Sequence, residues 1–487
     1  MNSENKRPSI NVLFIASEAD PLIKIGGLGD VAGSLPLALK KLTTQADSTV
    51  DLDIRLALPY YGQLKKTALT PKKVGEFSLP TEEEPLKVTV YQTDLNGIPL
   101  YLLDSALLEA DAPVYGTDFK ADARKFIFFS LACLQLPRLL NWRLDILHAN
   151  DWHTAIAVHE LSVLAKTDPA YHHIRSIISV HNLPFMGTGS EVGLTYFQVP
   201  FSKNPRMPKW ARSLPLPMGI NAADRIIAVS PGYAKEIMTP EYGCDLQDFL
   251  ITKKARLSGI VNGIDPEVWN PQTDVNIPQT YAISPLEKRS LNKQALQKEL
   301  GLPESDVTPL MAFIGRMDRQ KGIDLAMDAL KQLKTIPWQM VFLGTGNAQI
   351  EADLKALQEF YPNQIRLALR FDAALSHRIY GGADILLMPS RYEPCGLAQM
   401  IAMRYGCIPV ARATGGLKDT IENNKTGFLF EGNDGDAMTV GLKQALKLFP
   451  QKDKWQALQI NAMNTDFSWQ NSASDYLHVY QDLTQVN

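Results

Sequence analysis

The sequence predicts an α/β protein built from two doubly wound domains, and three observations predict it. Short apolar runs alternate with amphipathic stretches along most of the chain. Several of these runs lack the apolar–polar alternation of a half-covered strand, as strands buried on both faces do. The alternation also occurs twice. Two series flank a change of texture between residues 264 and 309, where Pro266, Pro271, Pro278 and Pro285 break a polar stretch.

In the first series, strands are expected at residues 10–16, 54–58, 86–91, 99–103, 145–148, 176–180 and 225–229. The polar stretch then reads as a linker or a first connecting helix. In the second series, strands are expected at 310–314, 339–343, 365–369, 385–388 and 408–411, with helical patterns over 324–333 and 348–360. The stretch opening with Asp466-Phe467-Ser468-Trp469 reads as an amphipathic helix with Tyr476 and Tyr480 on one side. These features divide the chain into domains at 1–263 and 264–465 and a terminal helix at 466–487.

At 487 residues the chain is too long for one core. Its 45% apolar and 21% charged residues are those of an ordinary soluble enzyme, and a net charge of -3 argues against a nucleic-acid partner. Cys133, Cys244, Cys395 and Cys407 show no CxxC spacing and fit a reducing cytoplasm. The apolar run 12–16 is too short for a signal segment and is followed at once by Glu18 and Asp20. Residues 126–140 are broken by Ser130, Gln135, Pro137 and Arg138, so no membrane span is expected. A cytoplasmic protein follows from this reading.

Chemistry concentrates where strands end. Glu393, in Arg391-Tyr392-Glu393-Pro394-Cys395-Gly396-Leu397, follows the strand at 385–388 and has no partner acid nearby. Arg316 and Lys321, in Gly315-Arg316-Met317-Asp318-Arg319-Gln320-Lys321-Gly322, lie five residues apart after the strand at 310–314. They fit either a solvated pair or a clamp for a departing diphosphate. Thr414-Gly415-Gly416 opens a helix whose free amides attract phosphate. Lys24-Ile25-Gly26-Gly27-Leu28-Gly29-Asp30 follows the first strand in the same way. It is either a structural turn or a diphosphate contact, and its glycine spacing does not indicate a nicotinamide cofactor. A lone acid, two cations and a glycine turn on successive strand ends describe a site for a phosphorylated sugar.

Other residues carry two readings each. His148, His153 and His159 lack metal-ligand spacing, and each fits a buried, hydrogen-bonded ring. Asp151 and His181 stand at strand ends and fit a site as well as a core. Phe371, just past the strand at 365–369, fits either a core ring or a surface on which a nucleobase stacks. Cys395 has no neighbouring histidine to activate it.

Taken together, these strings resemble the bacterial glycogen synthase and plant starch synthase family, glycosyltransferase family 5. The resemblance runs from Val12 to about Tyr480. It adds Ser179-Val180-His181-Asn182, Val229-Ser230-Pro231, Val261-Asn262-Gly263-Ile264-Asp265 and Ser376-His377-Arg378-Ile379 to the motifs above. It implies a GT-B fold: two Rossmann-like domains facing each other across a cleft, the first on the acceptor side and the second binding the nucleotide sugar, with the terminal helix crossing back to the first. The implied reaction is retaining transfer of glucose from ADP-glucose to the non-reducing end of an α-1,4-glucan or maltooligosaccharide, with no metal or other cofactor.

By the same resemblance Lys24, Arg316 and Lys321 are diphosphate ligands, and the backbones of Gly26, Gly27, Thr414, Gly415 and Gly416 add amide donors. Glu393 holds the donor glucose, Asp151, His181 and Asn262 line the sugar site, and Phe371 falls against the adenine. Asp30, Cys395, Gly396 and Leu397 complete the implied substrate-binding set. The proline-rich stretch 198–218 departs from the family pattern near the acceptor channel. Two other classes compete: a UDP-glucose transferase on the same fold, and a non-catalytic sugar sensor. The joint presence of Lys24, Arg316, Lys321 and Glu393 speaks against the sensor.

Overall fold

The computed structural model describes residues 7–44 and 49–485, which form two α/β units. The first unit holds the chain up to Gly263 together with the segment from Trp469 on, and the second holds Ile264–Ser468.

The first unit is built on nine strands: β1 (Ser9–Ile15), β2 (Asp51–Pro59), β3 (Lys72–Leu79), β4 (Leu86–Leu95), β5 (Ile98–Asp104), β6 (Ile146–Asn150), β7 (Arg175–Val180), β8 (Arg225–Ala228) and β9 (Leu257–Gly259). Their order across the sheet is β3-β4-β5-β2-β1-β6-β7-β8-β9. Strand β1 pairs in parallel with both β2 and β6, so the winding direction reverses between β1 and β6. In open α/β sheets, ligands bind beyond the carboxyl ends of the two strands at such a reversal. Strands β3, β4 and β5 form an antiparallel extension. The β4–β5 hairpin turns on Asn96 and Gly97, both at positive φ (54° and 88°), the two-residue turn that Asn-Gly favours.

Helix Trp469–Thr484 packs on helix Gly27–Thr43 and on β1. It buries Tyr476 and Tyr480 completely, the two tyrosines that the pattern puts on one face. His148 lies beneath it, 2.7 Å from the Tyr480 hydroxyl through Nδ1 and 2.8 Å from Ser179 Oγ through Nε2. His148 is thus a core residue that ties the helix to the sheet. Burial pushes its pKa down to about 3, so it stays neutral.

The second unit has six parallel strands: β10 (Leu310–Ile314), β11 (Gln339–Leu343), β12 (Ile365–Ala368), β13 (Ile385–Met388), β14 (Ile408–Arg412) and β15 (Phe428–Phe430). The order β12-β11-β10-β13-β14-β15 reverses between β10 and β13. The polar stretch before it is an ordered part of this unit and leads into helix Arg289–Glu299. Asp274 accepts a 2.6 Å hydrogen bond from the Tyr405 hydroxyl and pairs with His377 at 2.7 Å, while Trp269 stacks on the His377 ring. Among the described residues, no helix is long and apolar enough to cross a membrane.

Candidate active site

In the second unit, the reversal between β10 and β13 puts two sequence-predicted residues in contact. Lys321 follows β10 and Glu393 follows β13, and Lys321 Nζ lies 2.6 Å from Glu393 Oε2. Glu393 has no partner acid in sequence, but it has a partner cation in space. Ser390 Oγ donates a second hydrogen bond to the same oxygen at 2.8 Å. The carboxylate is nearly buried, with 7% of its side chain exposed, against 21% for Lys321. A buried charge is costly unless paired, and this pairing keeps the carboxylate in place.

Arg316 is the freer cation. Its side chain is 58% exposed, bonded to Asp318 at 2.8 Å and to Gln320 at 2.9 Å. The Asp318 carboxylate also accepts the Lys321 backbone N–H at 3.0 Å, which shapes the turn that carries both cations. Arg391 fastens the Glu393 turn to the helix after β10 through two bonds to Asp324, at 2.8 and 2.7 Å. The Arg391 guanidinium also donates to the Arg319 carbonyl at 2.7 Å. Arg412 donates to the Arg391 carbonyl.

The third motif joins the same cluster. Gly416 N–H donates to the Glu393 carbonyl at 3.0 Å. A Cβ at Gly416 would lie 2.2 Å from the Cys395 carbonyl oxygen, so only glycine lets the two turns meet. Cys395 is buried there and its carbonyl accepts the Gln399 side-chain amide at 3.1 Å, Gly396 takes φ 74°, and Leu397 is the N-cap of the following helix. Thr414 sits at the N-cap of helix Gly415–Thr420. Phe371 lies past edge strand β12 and is 85% exposed, which removes the core reading for its ring.

In the first unit, the Lys24 turn follows β1 and Asp151 follows β6, again the two strands at the reversal. Lys24 Nζ lies 2.6 Å from Asp30 and 3.5 Å from Asp20. Burial works against the ammonium, but Asp30 and Asp20 outweigh it, and the Lys24 pKa stands above the ordinary lysine value. Asp30 is therefore first of all the counter-ion of Lys24. The Gly26 amide, expected to face a phosphate, is already engaged: Glu18 Oε2 accepts it at 3.0 Å, and accepts the Ile25 amide as well. Sequence reasoning missed Glu18, although it is an acid just past an apolar strand, the signal that marked Glu393.

Asp151 holds φ 54° and ψ -171°, a backbone region that non-glycine residues avoid and that recurs at functional sites. Its Oδ1 accepts the amides of His181 at 2.7 Å and Asn182 at 3.3 Å. Burial raises its pKa to about 7, against the pull of those amides. His181 Nε2 lies 2.9 Å from Asn150 Oδ1, and burial lowers the His181 pKa to about 3. Asp151 and His181 are thus brought together, one poised near neutrality and the other neutral. Asn262 is buried, and its Oδ1 has no hydrogen-bond partner among the described residues. His159 bonds the Pro200 carbonyl at 2.8 Å, and His153 packs between Trp152 and Phe126. No group of three or more His, Cys, Asp or Glu among the described residues could hold a metal ion.

Each unit thus carries a basic turn and an acid at the reversal of its sheet, and two such α/β domains are the architecture of GT-B glycosyltransferases. Residues 11–252 match the starch synthase catalytic domain model, and residues 292–458 match the model for group 1 glycosyl transferases. Glycogen synthase from Clostridium perfringens is 40% identical over 97% of this chain and 98% of its own length. The Kosmotoga olearia glycogen synthase is 38% identical over 97% and 98%. Among solved structures, the catalytic domain of starch synthase IV from Arabidopsis thaliana, bound to ADP and acarbose, superposes with a TM-score of 0.86. It shares 29% identity, over 98% of this chain and 100% of that one. The chain belongs to the glycogen synthase and starch synthase family, and it is an enzyme of glucosyl transfer.

Proposed function

We propose that the protein transfers glucose from ADP-glucose to the non-reducing end of an α-1,4-glucan, retaining the anomeric configuration and using no metal. The observation that carries this reading is the Lys321–Glu393 pair at the reversal between β10 and β13, with exposed Arg316 on the same turn. Glu393 accepts hydrogen bonds from the donor glucose hydroxyls. Lys321 and Arg316 stabilise the negative charge that develops on the departing diphosphate. In the first unit, the Lys24 turn offers a cation and helix-start amides suited to a phosphate, and Asp151, His181 and Asn262 offer polar groups suited to a sugar.

Retention follows from departure and attack on one face of the sugar. The bond from the anomeric carbon to the diphosphate oxygen breaks, and the bond to the acceptor oxygen forms on the same side. The acceptor proton passes to the leaving diphosphate. The two-carboxylate scheme of glycosidases needs a second acid placed across the scissile bond from Glu393, whereas the groups bonded to the Glu393 carboxylate are the Lys321 ammonium and the Ser390 hydroxyl. Exposed Phe371 offers a face for adenine but no donor to its edge.

A nucleoside diphosphate release assay tests the reading by crossing ADP-glucose and UDP-glucose with glycogen and maltooligosaccharides. ADP-glucose is expected to be preferred, with moderate discrimination because stacking alone reads the base. Equal or better use of UDP-glucose overturns the donor assignment.

A further inference from the structure

Glu18 has no place in the chemistry described above, yet it is one of the most heavily bonded acids in the molecule. It lies three residues past the end of β1 and is 2% exposed. Its partners are all neutral: the consecutive amides of Ile25 and Gly26 on Oε2, and the Tyr115 hydroxyl on Oε1 at 3.0 Å. Two successive backbone N–H groups converging on one oxygen form the kind of concavity that proteins use to hold phosphate. Here an internal carboxylate fills it. A buried acid without a cation is expensive, so its retention needs a return elsewhere.

The surroundings are built to keep that carboxylate fixed. Tyr115 also bonds Ser17 Oγ at 2.8 Å, and the Tyr61 hydroxyl donates to the Ser17 carbonyl at 2.7 Å. The loop carrying Tyr115 is itself clamped. Asp122 accepts the Gly116 amide at 2.7 Å, and buried Lys125 bonds both Asp122 and the Val114 carbonyl at 2.7 Å. At Gly29 a Cβ would stand 3.1 Å from Glu18 Oε2 and 3.2 Å from Lys24 Cγ, so glycine leaves room for the acid beside the lysine stem.

We propose that Glu18, held by Tyr115, is the positioning residue of the Lys24–Leu28 turn. It occupies the Ile25 and Gly26 amides so that Lys24 and the next helix-start amides stay fixed in the arrangement that receives the donor's phosphate. This deepens the proposed function and rests on the reading that this turn binds the donor. The turn is then preformed before any anion arrives, and the donor does not spend binding energy to order it.

Three variants and a control test this: Glu18→Ala, Glu18→Gln, Tyr115→Phe and Lys24→Ala. Each is assayed over donor and glycogen concentrations and by hydrogen exchange of peptides spanning residues 19–28. Glu18→Ala is expected to raise the donor KM about tenfold while leaving the glycogen KM unchanged, and to speed exchange in the turn. Glu18→Gln keeps an acceptor oxygen and should recover most of the donor affinity. Tyr115→Phe, the milder change, should raise the donor KM about threefold, the scale of one lost hydrogen bond.

Unchanged exchange in both Glu18→Ala and Tyr115→Phe overturns the positioning role. So does faster exchange with a normal donor KM, provided Lys24→Ala raises it. If exchange quickens but neither Glu18→Ala nor Lys24→Ala alters the donor KM, the positioning role stands and the donor reading of the turn has failed. Should Glu18→Ala fold poorly, Tyr115→Phe and Glu18→Gln carry the same comparison.

Discussion

At the scale of single residues, the Lys321–Glu393 pair makes the sharpest claim. Glu393 is the more deeply buried partner, so removing Lys321 strands a carboxylate, whereas removing Glu393 leaves a lysine that can reach water. Lys321→Ala should therefore destabilise by about 3 kcal/mol, more than Glu393→Ala, with the double variant milder than Lys321→Ala alone. Thermal melts check the order. Glu393→Ala should also lose about a hundredfold in turnover, the scale of one aimed polar group, and near-normal turnover would make the acid structural.

Asp151 gives a pH signature. Its folded pKa of about 7 stands above the unfolded carboxylate value, so the folded state holds more protons across that interval. Its contribution to stability is complete below about pH 4 and is lost as pH rises through 7. His148 and His181, lowered to about 3, act in the opposite sense: what they contribute is present above about pH 6.5 and is lost as pH falls toward 3. Asp151→Asn keeps the acceptor oxygen for the His181 and Asn182 amides. Its melting temperature should gain on the wild type between pH 4 and 8, by up to about 1.4 kcal/mol per pH unit in free energy. A constant difference across that range would show that Asp151 is ionised throughout.

Among the elements, the strands that carry the site were legible because they are buried on both faces. Strands β10 and β13 are continuous apolar runs, β1 and β11 are apolar apart from Ser9, Asn11 and Gln339 in their first halves, and each ends within a residue or two of its expected limit. Those that escaped notice lack this property. β3 is largely exposed at an edge, while β9 and β15 have three residues each. The partners of Glu393 were also hidden, since Lys321 lies 72 residues away and only the crossover brings it near. Glu18 escaped because its bonds come from a turn seven residues on and a loop 97 residues on. Spacing along the chain reports neither. Where two turns meet, the fold makes its own prediction. Gly416→Ala must push back the Cys395 carbonyl, costing about 1–3 kcal/mol, and with it the Glu393 turn. Melting temperature and turnover should fall together; a variant with full turnover would show that the turns slide freely.

For the molecule as a whole, the proposed mechanism assigns the charge on the leaving diphosphate to the Lys321 and Arg316 side chains, so activity is expected to survive EDTA. Complete loss on chelation, restored by magnesium or manganese, would overturn the proposed mechanism. The division into two units has one more effect, through the segment that begins at Trp469. That helix belongs to the first unit, whose other residues precede Ile264, and it supplies Tyr480 to His148. During synthesis, the ribosome must release all of Ile264–Ser468 before the first unit can close its core. The nascent first unit therefore waits, with the helix Gly27–Thr43 and β1 face uncovered, while the second unit, continuous in sequence, is free to finish first. The unit that translation begins is the last for which every residue is available.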